Sequence, residues 1–218
     1  MVKEQIKETH HTGQKGAYDA LKRGFDILCC VIAIPFLCIP VAVIALLIVC
    51  SDHGSVLYVS QRIGKNGKPF SFYKFRSMKM NADSLEKMLA PEEYARYKQE
   101  YKLEHDPRIT KVGDFLRKTS LDELPQLLNV LKGDMCLVGP RPLLEEETYL
   151  YGEDRDKLLS IKPGLTGYWQ AYARNNVGYA NGERQKMELY YVDNRSVLFD
   201  LKILVATVGR VLRREGAR

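Results

Sequence analysis

The sequence predicts an α/β protein, mostly helical with a short β-hairpin and small strands, with an N-terminal apolar segment that enters a membrane as a re-entrant helical hairpin or as a kinked crossing helix, and with amphipathic interfacial helices. Three observations carry this. Residues 27–50 form a run of 24 residues without a charged side chain. Two β-prone stretches, 56–62 and 70–78, flank Gly64-Lys65-Asn66-Gly67-Lys68, whose Asn-Gly pair marks a hairpin connection. The rest of the chain is mainly helical in pattern and punctuated by Gly and Pro.

The apolar run comes first in the chain. As one helix it reaches about 36 Å, enough to cross a hydrocarbon core roughly 30 Å thick. Pro35 and Pro40 lie inside it, each removing a backbone donor, so a bend or break is expected. Basic residues stand on both sides, Lys22 and Arg23 before the run and Arg62, Lys65 and Lys68 after it. The positive-inside rule then leaves both ends on one face as the simpler solution. A kinked crossing helix is the alternative. Four of the five cysteines, Cys29, Cys30, Cys38 and Cys50, fall in the run and Cys136 outside it. With no CxxC pair, a disulfide framework or zinc site is disfavoured and reduced thiols are expected.

After the hairpin, residues 83–105 read as a helix in two pieces split at Pro91, with a solvated charged face. Residues 121–131 read as a short helix ended by Gly133, and 135–138 as a strand stopped by Gly139-Pro140. Short helices over 142–151 and 153–161 precede the Pro163-Gly164 turn. Helices over 182–194 and 198–214 complete the chain. The last combines Leu201, Ile203, Leu204, Val205, Val208 and Val211 with Lys202, Arg210, Arg213 and Arg214. That pattern suits an anionic membrane surface or, equally, packing on the core.

The chain of 218 residues is 45% hydrophobic, enough for one core, and its 33 Lys+Arg against 27 Asp+Glu give a net charge of +6. A basic excess serves nucleic acid, anionic lipid or phosphorylated substrates alike and does not choose between them. The polar motifs are more informative. Asp122 and Glu123 are adjacent carboxylates within Thr119-Ser120-Leu121-Asp122-Glu123-Leu124-Pro125-Gln126. Ser120 with Glu123 fits a helix capping box, while an ionised Asp beside cations also suits a nucleophile toward phosphorus. Pro125 fits a helix starting nearer Leu124 better than one starting at Ser120, and the start stays open. Phosphoryl oxygens need positive charge, for which Lys74 and Arg76 on one strand side, Arg117, Arg141 between two prolines, and Arg174 are candidates. A surface ion pair is the plainer explanation for any one of them. Lys162-Pro163-Gly164-Leu165-Thr166-Gly167 leads to the sole tryptophan, Trp169, either lining a ligand or packing. The four histidines make no metal spacing, and Walker or dinucleotide-type glycine loops are missing.

In their order, Lys22-Arg23-Gly24-Phe25-Asp26, the proline-interrupted run, Tyr73 to Met78, Thr119 to Leu127, Leu131 to Met135, Val138 to Pro142, Lys162 to Gly167 and Asp200-Leu201-Lys202 resemble the bacterial sugar transferases, the monotopic polyprenol-phosphate phosphoglycosyltransferases. The likeness covers residues 20–214 and looks like the short form, without additional N-terminal membrane helices. The resemblance implies transfer of sugar 1-phosphate from a UDP-sugar to polyprenol phosphate, with release of UMP. It implies Asp122 as the nucleophile, Glu123 as assistant in the second step, and Mg²⁺ held at Asp122. It implies a membrane break at Pro40, Pro35 being an addition, and an Asp where this chain has Glu188. The organisation expected is a cytoplasmic segment over 1–24, a re-entrant helix-break-helix over 25–51 and a cytoplasmic catalytic domain over 52–218, at the bacterial inner membrane. Membrane lipid is an expected partner, nucleic acid is not, and homo-oligomer formation is left open. A noncatalytic basic membrane adaptor, its binding weakened by salt, is the alternative from another class.

Overall fold

The computed structural model describes residues 2–80, 82, 89–100, 103, 106–173 and 182–213. Helix α1 runs Val2–Asp52 and contains both Pro35 and Pro40. The expected pair of arms separated by a break is a single continuous helix here, because each proline removes only its own donor and the flanking bonds carry the ladder through. Residues on both sides of the prolines rest on the same globular unit. Cys30 is buried in the main core with Val130, Met135 and Leu137, and Cys29 and Ile34 pack against it. Ile44 and Ile48 join a second cluster with Phe75 and Leu116, flanked by Val41, Val56 and Leu124. Between them the helix is bare, with Phe36 78% and Ile39 77% exposed.

The hairpin pairs β1 (Leu57–Ile63) with β2 (Pro69–Phe75) antiparallel, from Leu57 opposite Phe75 to Ile63 opposite Pro69. Its turn bears out the Asn-Gly signal: Asn66 and Gly67 have φ of 58° and 73°, the left-handed pair a tight hairpin requires. Helix α2 is Pro91–Glu100, and the piece expected before Pro91 falls on 83–88, outside the described residues. Helix α3 (Lys111–Thr119), not expected from the sequence, is capped by the Thr110 hydroxyl, which accepts the Gly113 N–H. Then follow a 3₁₀ turn Leu121–Glu123 and α4 (Gln126–Lys132), ended as expected by Gly133 at φ 89°. The short strand β3 (Cys136–Val138) pairs parallel with β4 (Gly164–Thr166). That pairing needs glycine, since a Cβ on Gly164 would stand 2.1 Å from the Gly139 nitrogen. Between the two strands lie α5 (Glu145–Thr148), a 3₁₀ turn Tyr149–Asp154 and α6 (Arg155–Leu159). Helices α7 (Tyr168–Tyr172), α8 (Glu183–Asn194) and α9 (Val197–Arg213) complete the fold.

Buried polar bonds lock α1 to this unit. Arg23 donates to the carbonyls of Val130 and Leu131 at the end of α4, and Asp26, 2% exposed, accepts the Leu137 N–H at 3.2 Å. The Asp200 carboxylate on α9 accepts from Tyr18, Lys22 and Tyr191, while the Tyr191 hydroxyl also reaches the Val138 carbonyl. Charge-assisted bonds of this kind hold an otherwise protruding helix at a fixed angle. On helix α9 Ile203 is fully buried, as the core-packing reading expects, whereas Val205 is 74% exposed and Leu198 63%.

Candidate active site

The carboxylate pair is built by a tight reversal after α3. Ser120 takes the left-handed conformation (φ 57°) and its N–H bonds back to Arg117 and Leu116. This overturns the capping-box reading, because Ser120 closes the preceding helix and its side chain caps nothing at the 3₁₀ turn. The open question of the helix start is also answered: α4 begins at Gln126, behind Pro125. The reversal buries Asp122, 6% exposed, while the Glu123 side chain stays a quarter exposed.

Lys74, one residue from the end of β2, reaches both carboxylates. Its Nζ lies 2.8 Å from Glu123 Oε1 and 3.6 Å from Asp122 Oδ2. A positive charge there offsets part of the negative charge of the two neighbouring carboxylates. Lys74 also lies 5.6 Å from the centre of the Phe72 ring, and Arg62 lies 5.5 Å from it. Arg62 in turn pairs with Glu147 at 3.2 Å. Two adjacent carboxylates are oxygen donors of the kind Mg²⁺ uses when substrate phosphates and water complete its shell. Among the described residues no group of three or more His, Cys, Asp or Glu stands ready as a cage. The donor set therefore fits a metal shared with a phosphorylated ligand.

Three of the four other sequence candidates fall among the described residues. Arg76 lies just past β2, whose last residue is Phe75, so it does not share the strand with Lys74; its N–H still pairs with the Val56 carbonyl. Its guanidinium is buried against Gly54 and Met80. Arg117, in the last turn of α3, contributes to a neighbouring carboxylate: burial raises Asp106, but hydrogen bonds and charge from Arg108, with help from Arg117, bring it below its ordinary value. Arg141 lies in the turn after β3 and donates its backbone N–H to both oxygens of Glu188, at 3.3 and 3.4 Å. Arg174 falls within 174–181, outside the described residues.

Glu188 is the buried group whose place the sequence did not reveal. It is 1% exposed, and burial pushes its carboxyl up to about 7 against the opposing charges of Arg184 and Arg141. Arg184 lies 4.0 Å over the Trp169 ring, which makes the tryptophan a packing partner here. Asn129, fully buried on α4, was missed as well; an Asn between Leu128 and Val130 on an apolar helix was the available signal.

A cation-bridged carboxylate pair on a reversal between short helices, in a unit carried on an apolar helix, is an arrangement that chemistry on phosphorylated ligands can use. The chain belongs to the bacterial sugar transferase family, whose model matches residues 17–214. It is 48% identical over 200 residues to the undecaprenyl-phosphate galactose phosphotransferase of Salmonella typhimurium, covering 90% of this chain and 41% of that protein. It is 45% identical over 200 residues to the UDP-galactose-lipid carrier transferase of Erwinia amylovora, with 90% and 41% covered. The exopolysaccharide production protein ExoY of Sinorhizobium fredii is 43% identical over 199 residues, which are 90% of this chain and 87% of that one. The chain thus spans about two-fifths of the Salmonella and Erwinia proteins.

Proposed function

We propose that this protein transfers sugar 1-phosphate from a UDP-sugar to polyprenol phosphate, of the undecaprenyl type, and so starts a membrane-bound glycan. The observation that carries the reading is the Lys74 bridge across Asp122 and Glu123, joined to membership of the sugar transferase family. In the first step an Asp122 carboxylate oxygen attacks the β-phosphorus of the donor. The bond from that phosphorus to the bridging oxygen breaks, UMP leaves with the electron pair, and a phosphosugar is joined to Asp122. In the second step an oxygen of polyprenol phosphate attacks the same phosphorus, the aspartyl bond breaks, and the carboxylate returns. Glu123 orients the incoming phosphate or takes its proton. Lys74 offsets charge between the carboxylates and the arriving diphosphate, and Arg76, Arg117, Arg141 and Arg174 supply further positive charge to the donor. Asp122 would hold Mg²⁺, which supplies charge neutralisation at the phosphoryl oxygens.

The membrane reading that goes with this chemistry is that the segment over 25–51 enters one leaflet without crossing it, the bend at Pro40 that this requires being made in the bilayer and not in the continuous helix α1, and leaves the domain on the cytoplasmic face of the inner membrane. Its support is that both flanks of the bare stretch, Cys30 and Ile34 on one side and Ile44 and Ile48 on the other, pack on one domain. A straight crossing would put that domain's own surface inside the bilayer, where irregular backbone goes unsatisfied. The test is purified protein with UDP-sugar, polyprenol phosphate and Mg²⁺. UMP release is expected, with a sugar-phosphate adduct visible by intact mass when acceptor is withheld, and neither in Asp122→Asn. An active Asp122→Asn enzyme refutes the nucleophile assignment.

A further inference from the structure

The two-stranded sheet has a second edge on β2, and one side chain occupies it. Asn129 donates from Nδ2 to the Ser71 carbonyl at 2.7 Å and accepts the Tyr73 N–H on Oδ1 at 3.1 Å. A carbonyl and the N–H two residues on are the groups a third strand would take from this edge. The amide is held in turn by its 3.3 Å contact to Asp134 Oδ2, and it is fully buried. A second grip comes from the same helix: Lys132 donates to the Tyr73 hydroxyl and lies 4.6 Å over its ring. The residue after this clamped tyrosine is Lys74, and the helix that does the clamping starts three residues after Glu123.

We infer that Asn129 is a positioning residue for the reaction: standing in for a third strand at Ser71 and Tyr73, it fixes the register of β2 against α4, and so holds Lys74 over the Asp122–Glu123 turn. A lysine on a two-stranded ribbon would otherwise move with every twist of the hairpin, since isolated two-stranded sheets are marginal. Asn suits this task because its amide sets an acceptor oxygen beside an NH₂ group whose two hydrogens serve Ser71 and Asp134, an arrangement that Asp, Ser or Ala does not offer. The inference rests on the proposed reading that Lys74 serves Asp122.

A double-mutant cycle on the full chain in detergent or nanodiscs tests it, with UMP release as readout. Asn129→Asp, nearly isosteric, keeps the acceptor for Tyr73 but loses the donor to Ser71, and faces Asp134 with a second acidic group. It is expected to lower kcat/KM about tenfold in the wild-type background. In the Lys74→Ala background, where there is no lysine left to place, the same change is expected to cost less than about twofold. Equal losses in the two backgrounds mean a general structural role and overturn the inference, as does an unchanged Asn129→Asp enzyme. A Lys74→Ala enzyme with wild-type turnover overturns the reading of Lys74 itself, whatever Asn129 does. Thermal unfolding checks that each variant is folded, and Asn129→Ser repeats the cycle with a shorter side chain if the aspartate variant does not fold.

Discussion

Glu188 makes stability depend on pH in a direction opposite to most carboxylates. Its carboxyl is pushed from 4.5 up to about 7 by burial, which outweighs the attraction of Arg184 and Arg141. The folded protein therefore binds this proton more tightly than the unfolded chain does. The stabilisation is fully present below about pH 4.5 and is lost as pH rises through about 7. At 1.36 kcal/mol per unit, a shift of this size corresponds to about 3 kcal/mol. For a chain of this length that is about 6 to 12 °C in melting temperature. Glu188→Gln retains the shape and an acceptor for the Arg141 N–H but cannot titrate, so the difference between the two proteins isolates this group from other ionisations. Trp169 is the only tryptophan, and Arg184 lies over it one helical turn from Glu188, so its fluorescence reports unfolding at this place. Melting followed by that signal from pH 4.5 to 8 is expected to show the wild type losing ground steadily to Glu188→Gln. Parallel curves across the whole range refute the argument that burial dominates at Glu188.

Gly113 sits where a Cβ would stand 1.9 Å from the Ser77 carbonyl oxygen, a backbone atom that also accepts the Thr110 N–H. Gly113→Ala should destabilise by about 1–3 kcal/mol or more through overpacking, and an unchanged melting temperature contradicts the close approach. On a cysteine-free background, single cysteines introduced at Gly16 and at Lys65 are expected to react with an impermeant maleimide from the same side of sealed vesicles. Labelling from opposite sides establishes a crossing helix instead.

What could be read in the sequence was local. The hairpin rested on Asn66-Gly67, whose left-handed conformations need no distant partner, and the end of α4 rested on Gly133 in the same way. Asp122 and Glu123 were legible as a pair because they are adjacent. Their bridge to Lys74 was not, because nothing in either motif encodes a contact between residues 49 positions apart. The capping-box reading failed at Ser120 for a related reason: the pattern Ser-x-x-Glu fits a helix start, but the strong helix before it, α3, claimed Ser120 as its closing residue. β4 was invisible because three residues, Gly164-Leu165-Thr166, are too few to show a period, and its pairing with β3 depends on Gly139 approaching from 25 residues away. Glu188 stood out only as a Glu where the family resemblance led us to expect an Asp, and its burial against the Arg141 turn belongs to the tertiary fold.

Helix α4 ties these local pieces to the membrane question. Its start follows the carboxylate pair, its middle holds β2 through Asn129, and its last carbonyls take the guanidinium of Arg23 from α1. Within α4 the stretch from Gln126 to Val130 contributes about 6 Å of rise, and the 3₁₀ turn that carries Asp122 lies just before it. Arg23 precedes the first residue of the apolar run by only four positions, so in the proposed topology it lies at the lipid boundary. The headgroup region on each side of the hydrocarbon core is itself several ångströms deep. In that proposed topology the short connection from the carboxylate pair through α4 to Arg23 would keep Asp122 near the headgroup layer, where the phosphate of the proposed acceptor would sit while its tail remains in hydrocarbon. Loss of the Arg23 bonds is then expected to loosen that placement without touching either carboxylate, which ties the proposed depth of the candidate site to the far end of α4.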